Sequence, residues 1–274
     1  MARTLLNVKR VTKSFGGLMA VKDVSFHLME GEIVSVIGPN GAGKTTLFNC
    51  ITGMYTTTSG EVWLHHLVQP INITGWSVHQ IARHGVARTF QNIRLFLQMT
   101  ALENVMAGRF MKTTSGLFQG LWGTAASRVE DRQSAEHAHQ LLAFMGIAHC
   151  ANDLAAHLSY GDRRRVEIAR AMATEPSILL LDEPAAGMNP RETSDLIGLI
   201  GRIRQQGISI ILIEHDMKVV MGISDRVVVL NHGENIAEGT PEAIQHHPRV
   251  IEAYLGEEHQ TVEKKKEKLE NRVP

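Results

Sequence analysis

Long apolar runs are missing from this chain of 274 residues. No stretch approaches the roughly 18 consecutive apolar residues that a membrane-spanning helix requires, so any work at a membrane has to go through a partner. The opening residues Met1-Ala2-Arg3-Thr4-Leu5-Leu6 lack the apolar core of a signal peptide. Net charge is missing as well. Lys+Arg and Asp+Glu both total 28, so no overall field draws the chain to nucleic acid or to an anionic surface. Cysteine is scarce: Cys50 and Cys150 stand far apart, in no CxxC or metal-ligand pattern, which fits reduced cytosolic thiols and argues against a disulfide framework. The pairs His65-His66 and His246-His247 read as solvated turns rather than metal ligands. Internal repeats and low-complexity segments are absent too. What remains is a chain with 43% hydrophobic residues, long enough for one large domain or two joined lobes.

The most informative segment is Gly38-Pro39-Asn40-Gly41-Ala42-Gly43-Lys44-Thr45, a G-x-x-x-x-G-K-T loop placed directly after the apolar run Ile33-Val34-Ser35-Val36-Ile37. A buried strand, a glycine turn and a helix starting near Thr45, continued by Thr46-Leu47-Phe48, form the context that phosphate binding requires. Glycines let backbone N–H groups approach a phosphate, and the helix N-terminus adds partial positive charge. Lys44 can reach the β- and γ-phosphates, and the Thr45 hydroxyl can ligate Mg²⁺. The expectation is a nucleoside triphosphate site. Cys50, on the helix after this loop, is either a reactive thiol or a small core residue, and the second is expected.

The surrounding pattern is that of an α/β protein. Residues from Leu5 to Met29 alternate as antiparallel strands with a turn at Gly16-Gly17, and Glu30-Gly31-Glu32 turns into the strand before the loop. A short strand is expected from Glu61 to Val68 after a Ser59-Gly60 turn, a helix from Ser77 to His84, and a strand from Val86 to Phe90. From about Asn92 to His157 apolar residues recur at helical spacing, as in Leu102, Val105 and Met106 or Leu141, Leu142 and Met145, with a Gly/Ser/Thr-rich loop from Thr113 to Ser127. This reads as an inserted helical lobe. Beyond it, Ile178 to Leu181, a helix from Arg191 to Gln206, and Ile208 to Ile213 imply a parallel sheet covered on both faces. A further strand from Val227 to Leu230 precedes a turn at Asn231-His232-Gly233-Glu234.

Two more segments carry chemistry. In Ile178-Leu179-Leu180-Leu181-Asp182-Glu183-Pro184, an apolar strand ends in two carboxylates at the sheet edge where ligands bind in open α/β folds. Asp182 can hold Mg²⁺, and Glu183 can polarise an attacking water. In Leu158-Ser159-Tyr160-Gly161-Asp162, Ser159 is placed to cap an amphipathic helix whose stripe is Val166, Ala169 and Met172. An ordinary capped helix with a solvated arginine face, Arg163-Arg164-Arg165, is the plainer reading of that segment.

Taken in order, the phosphate loop, Gln91, the L-S-x-G segment, the L-L-L-D-E-P strand and His215 resemble the ATP-binding-cassette family from about Leu5 to Leu255. The resemblance implies two cassettes closing head to tail, with Ser159 and Gly161 contacting a γ-phosphate held by the opposite subunit. It implies that Gln91 senses Mg²⁺ and water, that His215 hydrogen-bonds the γ-phosphate, and that Phe15 stacks on adenine, although Phe15 as a core residue remains an alternative. The chain departs from the family pattern at Tyr160, where glycine is usual, at Asp162 (glutamine), at Asn189 (aspartate) and at Phe15 (tyrosine).

Within the family, Phe15-Gly16-Gly17-Leu18-Met19-Ala20-Val21, Arg88-Thr89-Phe90-Gln91-Asn92-Ile93-Arg94-Leu95-Phe96, Asp182 to Pro190, Glu214 to Met221 and Gly116-Leu117-Phe118 are similar to the ATP-binding subunits of branched-chain amino-acid importers. Tyr160 and Arg163 to Arg170 also resemble the ATPase of lipopolysaccharide export, which ranks second; a soluble cassette ATPase outside transport is a third reading. The importer resemblance implies ATP and Mg²⁺ as ligands, with Thr45, Gln91 and Asp182 at the metal. The implied catalytic residues are Glu183, His215 and Gln91, and the nucleotide-binding residues are Gly38 through Thr46 with Phe15, Ser159 and Gly161. It further implies a second ATPase subunit (a paralogue or an identical copy), two permeases, a periplasmic binding protein acting indirectly, no nucleic acid, and a peripheral place on the cytoplasmic face of a bacterial inner membrane. The expected fold is an α/β P-loop ATPase core. A β subdomain and phosphate-loop part covers 1–91 and a helical subdomain 92–157, with the signature at 158–162. The rest of the core covers 158–256 and a polar tail 257–274.

Overall fold

The computed structural model describes residues 3–65, 69–110 and 125–254. Their contacts form two compact units, one from the described residues of Met1–Trp76 and Ile211–Pro274, the other from Ser77–Ile210.

The first unit opens with a hairpin of β1 (Thr4–Phe15) and β2 (Leu18–Met29) joined at Gly16-Gly17, as the turn residues require. Leu6 and Val8 point inward, but the next inward residue of β1 is Val11, one position late for a strict period of two. The extra residue is Arg10, in the left-handed region with φ 50, facing a hairpin partner that also breaks register, Asp23 with φ 51. Side chains repair the interrupted ladder: Arg10 N–H donates to Ser25 Oγ at 2.8 Å and Asp23 N–H to Thr12 Oγ1 at 3.0 Å. The buried strand β3 (Ile33–Ile37), the phosphate loop and α1 (Lys44–Ile51) follow, then β4 (Ser59–Leu64) and the short β5 (Ile71–Asn72). The antiparallel order is β2-β1-β4-β5.

Ser59-Gly60 is not the expected turn. Ser59 pairs with Thr12, and Gly60 sits inside β4 at φ 84, where a Cβ would lie 2.2 Å from the Arg10 carbonyl oxygen. The glycine is there for the bulge opposite it, so a turn signal in sequence marks a close backbone approach. The strand ends at Leu64, and the rest of the expected run, with His66, lies outside the described residues apart from His65.

The second unit begins with α2 (Val78–Arg83), opened by a Ser77/Gln80 capping box, and the strand β6 (Val86–Arg88). β6 stops two residues short of the expected Phe90, and residues 92–99 are irregular rather than helical. The helix α3 (Ala101–Arg109) starts at a Thr100/Glu103 capping box. Then come α4 (Ala125–Phe144), α5 (Tyr160–Met172), β7 (Ile178–Asp182) and α6 (Pro190–Gln205). The expected loop from Thr113 lies outside the described residues up to 124, and its last three residues open α4; Gly116-Leu117-Phe118 is also outside them. β6 runs parallel to β7, the all-buried strand of the unit.

With β8 (Ser209–Ile213) the chain returns to the first unit, adding α7 (Met217–Ile223), β9 (Arg226–Asn231), β10 (Glu234–Gly239) and α8 (Pro241–Gln245). β9 runs parallel to β3, and β10 turns back antiparallel to β9. Ile37, Val220, Val227, Val229, Ile244 and Val250 pack as one apolar cluster beneath the phosphate-loop strand. β5 and β10 had no clear pattern in the sequence: β5 is two residues long, and in β10 no residue is fully buried. Among the described residues no helix is long and apolar enough to cross a membrane. The polar tail from Glu257 lies outside them.

A side chain at position 60 meets both the left-handed penalty and the Arg10 carbonyl. Gly60→Ala is expected to destabilise the protein by roughly 2 kcal/mol or more, read as a lowered urea midpoint; an unchanged midpoint would show that the bulge yields freely.

Candidate functional site

In the first unit the phosphate loop leaves β3 with Gly38 at φ 146, Gly41 at φ 79 and Gly43 at φ 99, the last capping α1. These glycines are needed for different reasons. A Cβ on Gly38 would lie 2.0 Å from the Leu230 carbonyl oxygen, and one on Gly43 would lie 2.3 Å from that of Ala20. At Gly41 the space is open and only the positive φ asks for glycine. Two of the three are thus set by backbone packed behind the loop. Lys44 is buried, and its Nζ donates to the carbonyl oxygens of Gly38 at 2.5 Å and Pro39 at 2.9 Å. Thr45, Asn40 and Gly41 are exposed on the loop, while Pro39 and Ala42 are buried and Thr46 is half-buried. The arrangement offers an anion the first amides of α1, a lysine and a hydroxyl in one turn of chain.

Phe15 is 43% exposed, so the core alternative for it is overturned. It meets Tyr55 edge-on with centroids 5.3 Å apart, and Lys13 Nζ lies 4.8 Å from its ring centre. The loop after β8 carries His215, exposed, with Nδ1 4.0 Å from Glu214 Oε2. Cys50 is buried, and burial pushes its thiol up to about 11, which sets aside the reactive-thiol alternative.

In the second unit the two carboxylates stand at the end of β7. Asp182 is buried and paired with Arg88, whose Nη2 donates to Oδ2 at 2.7 Å. Burial raises the Asp182 carboxyl above its usual range, and the Arg88 guanidinium opposes that. Its other oxygen, Oδ1, is buried without a hydrogen-bond partner among the described residues. An orphaned anionic oxygen at a strand end fits a site for Mg²⁺ or its water. Glu183 follows in the left-handed region at φ 45, a conformation that costs of order 1 kcal/mol for a non-glycine residue and that clusters at functional sites. Gln91 Nε2 donates to Glu183 Oε2 at 2.8 Å. The glutamine after β6 and the glutamate after β7 therefore touch, 92 residues apart in sequence.

Ser159 caps α5, accepting from the Asp162 N–H at 3.1 Å while its own hydroxyl donates to Asp162 Oδ2 at 2.7 Å. Asp162 thus closes a local capping pair where a glutamine is usual in the resembled family. Ser159 is exposed and Gly161 half-buried at the start of the helix. Asn189 caps α6 in a box with Glu192, accepting from two amides as an aspartate would.

The solvated arginine face does not exist as such. Arg164 has no exposed surface and sits between Glu167 and the backbone that follows β6. The apolar stripe Val166, Ala169 and Met172 is buried as expected, but nothing in the run of three arginines singled out the middle one. The i,i+3 spacing to Glu167 was the available signal.

Comparison with known proteins gives a consistent result. The ABC transporter family model matches residues 21–186, and the model for the branched-chain amino acid ATP-binding cassette transporter matches residues 234–260. The chain is 50% identical over 258 residues to the high-affinity branched-chain amino acid transport ATP-binding protein LivG of Escherichia coli K12, and 49% identical over 258 residues to BraF of Pseudomonas aeruginosa; each alignment covers 94% of this chain and 100% of the relative. The lipopolysaccharide export ATP-binding protein LptB of Haemophilus influenzae is 32% identical over 93% of this chain and 98% of its own length. Among solved structures, the ADP conformation of MJ1267, an ATP-binding cassette of an ABC transporter, has a TM-score of 0.80 at 31% identity, covering 92% of this chain and 99% of that one. A dimeric post-hydrolysis state of the cassette MJ0796 bound to ADP and Pi has a TM-score of 0.73 at 27% identity, covering 86% and 99%.

Removing Arg88 leaves a buried carboxylate without its cation. Arg88→Met is expected to cost roughly 3 kcal/mol of stability, and Arg88→Met with Asp182→Asn distinctly less. Urea unfolding of both variants tests the pair, and equal losses would show that Arg88 stabilises by packing alone.

Proposed function

This chain belongs to the ABC transporter family and is an ATP-hydrolysing subunit of it, and we propose that it powers the import of branched-chain amino acids. The observation that carries the ATPase chemistry is the Gln91–Glu183 contact beside the orphaned Asp182 oxygen. The cargo rests on similarity near 50% along nearly the whole chain to subunits named for branched-chain amino acid transport, with the match over residues 234–260. The lipopolysaccharide-export relative stands far lower, at 32%.

In this reading Phe15 presents its exposed face to adenine. The amides of Gly38 through Thr46 cradle the phosphates. Lys44 exchanges its bonds to the Gly38 and Pro39 carbonyls for phosphate oxygens, so the loop satisfies the lysine before nucleotide arrives. Asp182 and Gln91 in one unit and the Thr45 hydroxyl in the other each offer an oxygen of the kind Mg²⁺ takes, and the ion would neutralise charge on the phosphate oxygens. Glu183, held by Gln91, orients the attacking water as general base, and His215 donates to the γ-phosphate. Ser159 and Gly161 face the γ-phosphate held by a second cassette, a paralogue or another copy, an assembly of the kind the dimeric MJ0796 cassette illustrates. In this reading α3 and α4 belong to the inserted helical subdomain expected over 92–157. Two permeases and, through them, a periplasmic binding protein complete the transporter, with this chain peripheral on the cytoplasmic face of the inner membrane.

Glu183→Gln is expected to lower ATP turnover at least about a hundredfold while nucleotide binding is retained. His215→Ala is expected to be nearly as damaging; normal turnover in either would remove that role. Lys44→Ala is expected to lose nucleotide binding itself, measured with a fluorescent ATP analogue. For the cargo, the Glu183→Gln form is captured with ATP and Mg²⁺ from gently solubilised native membranes. Amino-acid permeases with a second cassette are the expected companions, and lipopolysaccharide-export permeases would overturn the import reading.

A further inference from the structure

After β6 the chain runs through Thr89, Phe90, Gln91 and on to Arg94 with no regular structure, so its backbone polar groups lack the partners of a helix or a strand ladder. Thr89 N–H still reaches the Leu180 carbonyl at 2.9 Å. Beyond it, one ion pair on α5 takes over. Arg164 Nη1 donates to the Phe90 carbonyl at 2.6 Å and Nη2 to the Gln91 carbonyl at 2.8 Å. Glu167 Oε1 accepts from the Phe90 N–H at 3.4 Å and the Arg94 N–H at 3.2 Å. The two side chains bind each other at 2.8 Å, and both are almost wholly buried. Arg164 Nη2 also donates to the Tyr160 hydroxyl at 3.3 Å, so the same guanidinium touches the signature residue that departs from the family's glycine. A buried ion pair is seldom better for stability than well-packed apolar side chains. Its geometry here is explained by what it holds: the two successive carbonyls on either side of the Gln91 Cα, and the amides of Phe90 and Arg94.

We propose that the Arg164–Glu167 pair is a positioning device for Gln91. It fixes the backbone from which the Gln91 side chain reaches Glu183, and through Tyr160 it ties that placement to the start of the signature helix. Arg164 is a positioning residue, acting on the reaction only through Gln91. The guanidinium fork is essential to it, because a lysine at the same place keeps the charge beside Glu167 but cannot reach two successive carbonyls. The inference rests on the catalytic reading of the Gln91–Glu183 pair.

The test is a cycle in the full-length protein. Turnover, KM for ATP and Mg²⁺ dependence are measured for wild type, Arg164→Lys, Gln91→Ala and the double variant, with Glu183→Gln as reference and unfolding midpoints for all. Arg164→Lys is expected to lower kcat roughly ten- to hundredfold and to raise the Mg²⁺ needed for half-maximal turnover, with little change in nucleotide affinity. In the Gln91→Ala background the same substitution is expected to have no further effect, since the residue it positions is gone. Multiplying effects, or an unchanged kcat in Arg164→Lys, would overturn the proposal. If Arg164→Lys does not fold, the paired Arg164→Met and Glu167→Met change, which leaves no buried charge unpaired, carries the same cycle. Should Glu183→Gln retain full turnover, the catalytic reading of the Gln91–Glu183 pair fails instead, and that result is distinct from a failure confined to Arg164.

Discussion

Three stretches of backbone meet behind the phosphate loop, and their closeness governs the first unit. The carbonyl of Ala20 in β2 lies where a Cβ of Gly43 would sit and close to that of Gly233, and the Leu230 carbonyl of β9 does the same for Gly38. Hydrogen bonds close the junction: Gly233 N–H to the Ala42 carbonyl at 3.1 Å and Lys22 N–H to the Gly233 carbonyl at 2.8 Å. No Cβ fits at Gly38 or Gly43 without a shift of that backbone. The loop is therefore braced from behind by main chain, leaving the exposed residues Asn40, Gly41 and Thr45 on its open side. The left-handed His232-Gly233 pair between β9 and β10, at φ 47 and 83, belongs to the same device.

The second unit solves a different problem. Strands β6 and β7 end side by side, and the chain leaving each of them carries a polar side chain that must be aimed. Arg88 pins one oxygen of Asp182 and leaves the other without a partner among the described residues, while Arg164 and Glu167 carry the backbone around Gln91. Both solutions bury charge at a desolvation cost, visible in the carboxyls of Asp182 and Glu167, which burial drives upward against the pull of their arginines. Buried polar groups that are well satisfied make a unique geometry, which the hydrolytic site proposed here needs more than it needs extra stability.

How much of this was legible beforehand follows from what each residue responds to. The phosphate loop, the carboxylate pair and the Ser159 cap were readable because their spacing is imposed by local chain geometry: strand, turn, helix start; Gln91 stood out only through the family resemblance. The hairpin and the fully apolar strands were readable because the period of burial is written into one segment. Arg164 was not, since its burial depends on a loop 73 residues earlier in sequence. Gly60 misled for the same reason, being shaped by a neighbouring strand rather than by its own. β10 escaped because a half-buried edge strand has no strict alternation to detect. Phe15 was ambiguous in sequence because an aromatic at a strand end is equally apt for core and surface, and only its 43% exposure decides.

The scarcity of cysteine has a practical side once the two thiols are placed. Cys50 is buried with its ionisation pushed to about 11, and Cys150 is buried with its Sγ donating to the Ile147 carbonyl at 3.1 Å. Neither offers a thiolate to a maleimide at neutral pH. The native chain is thus already a silent background for spectroscopy, in which a single engineered surface cysteine carries a spin or fluorescent label without removing any natural residue.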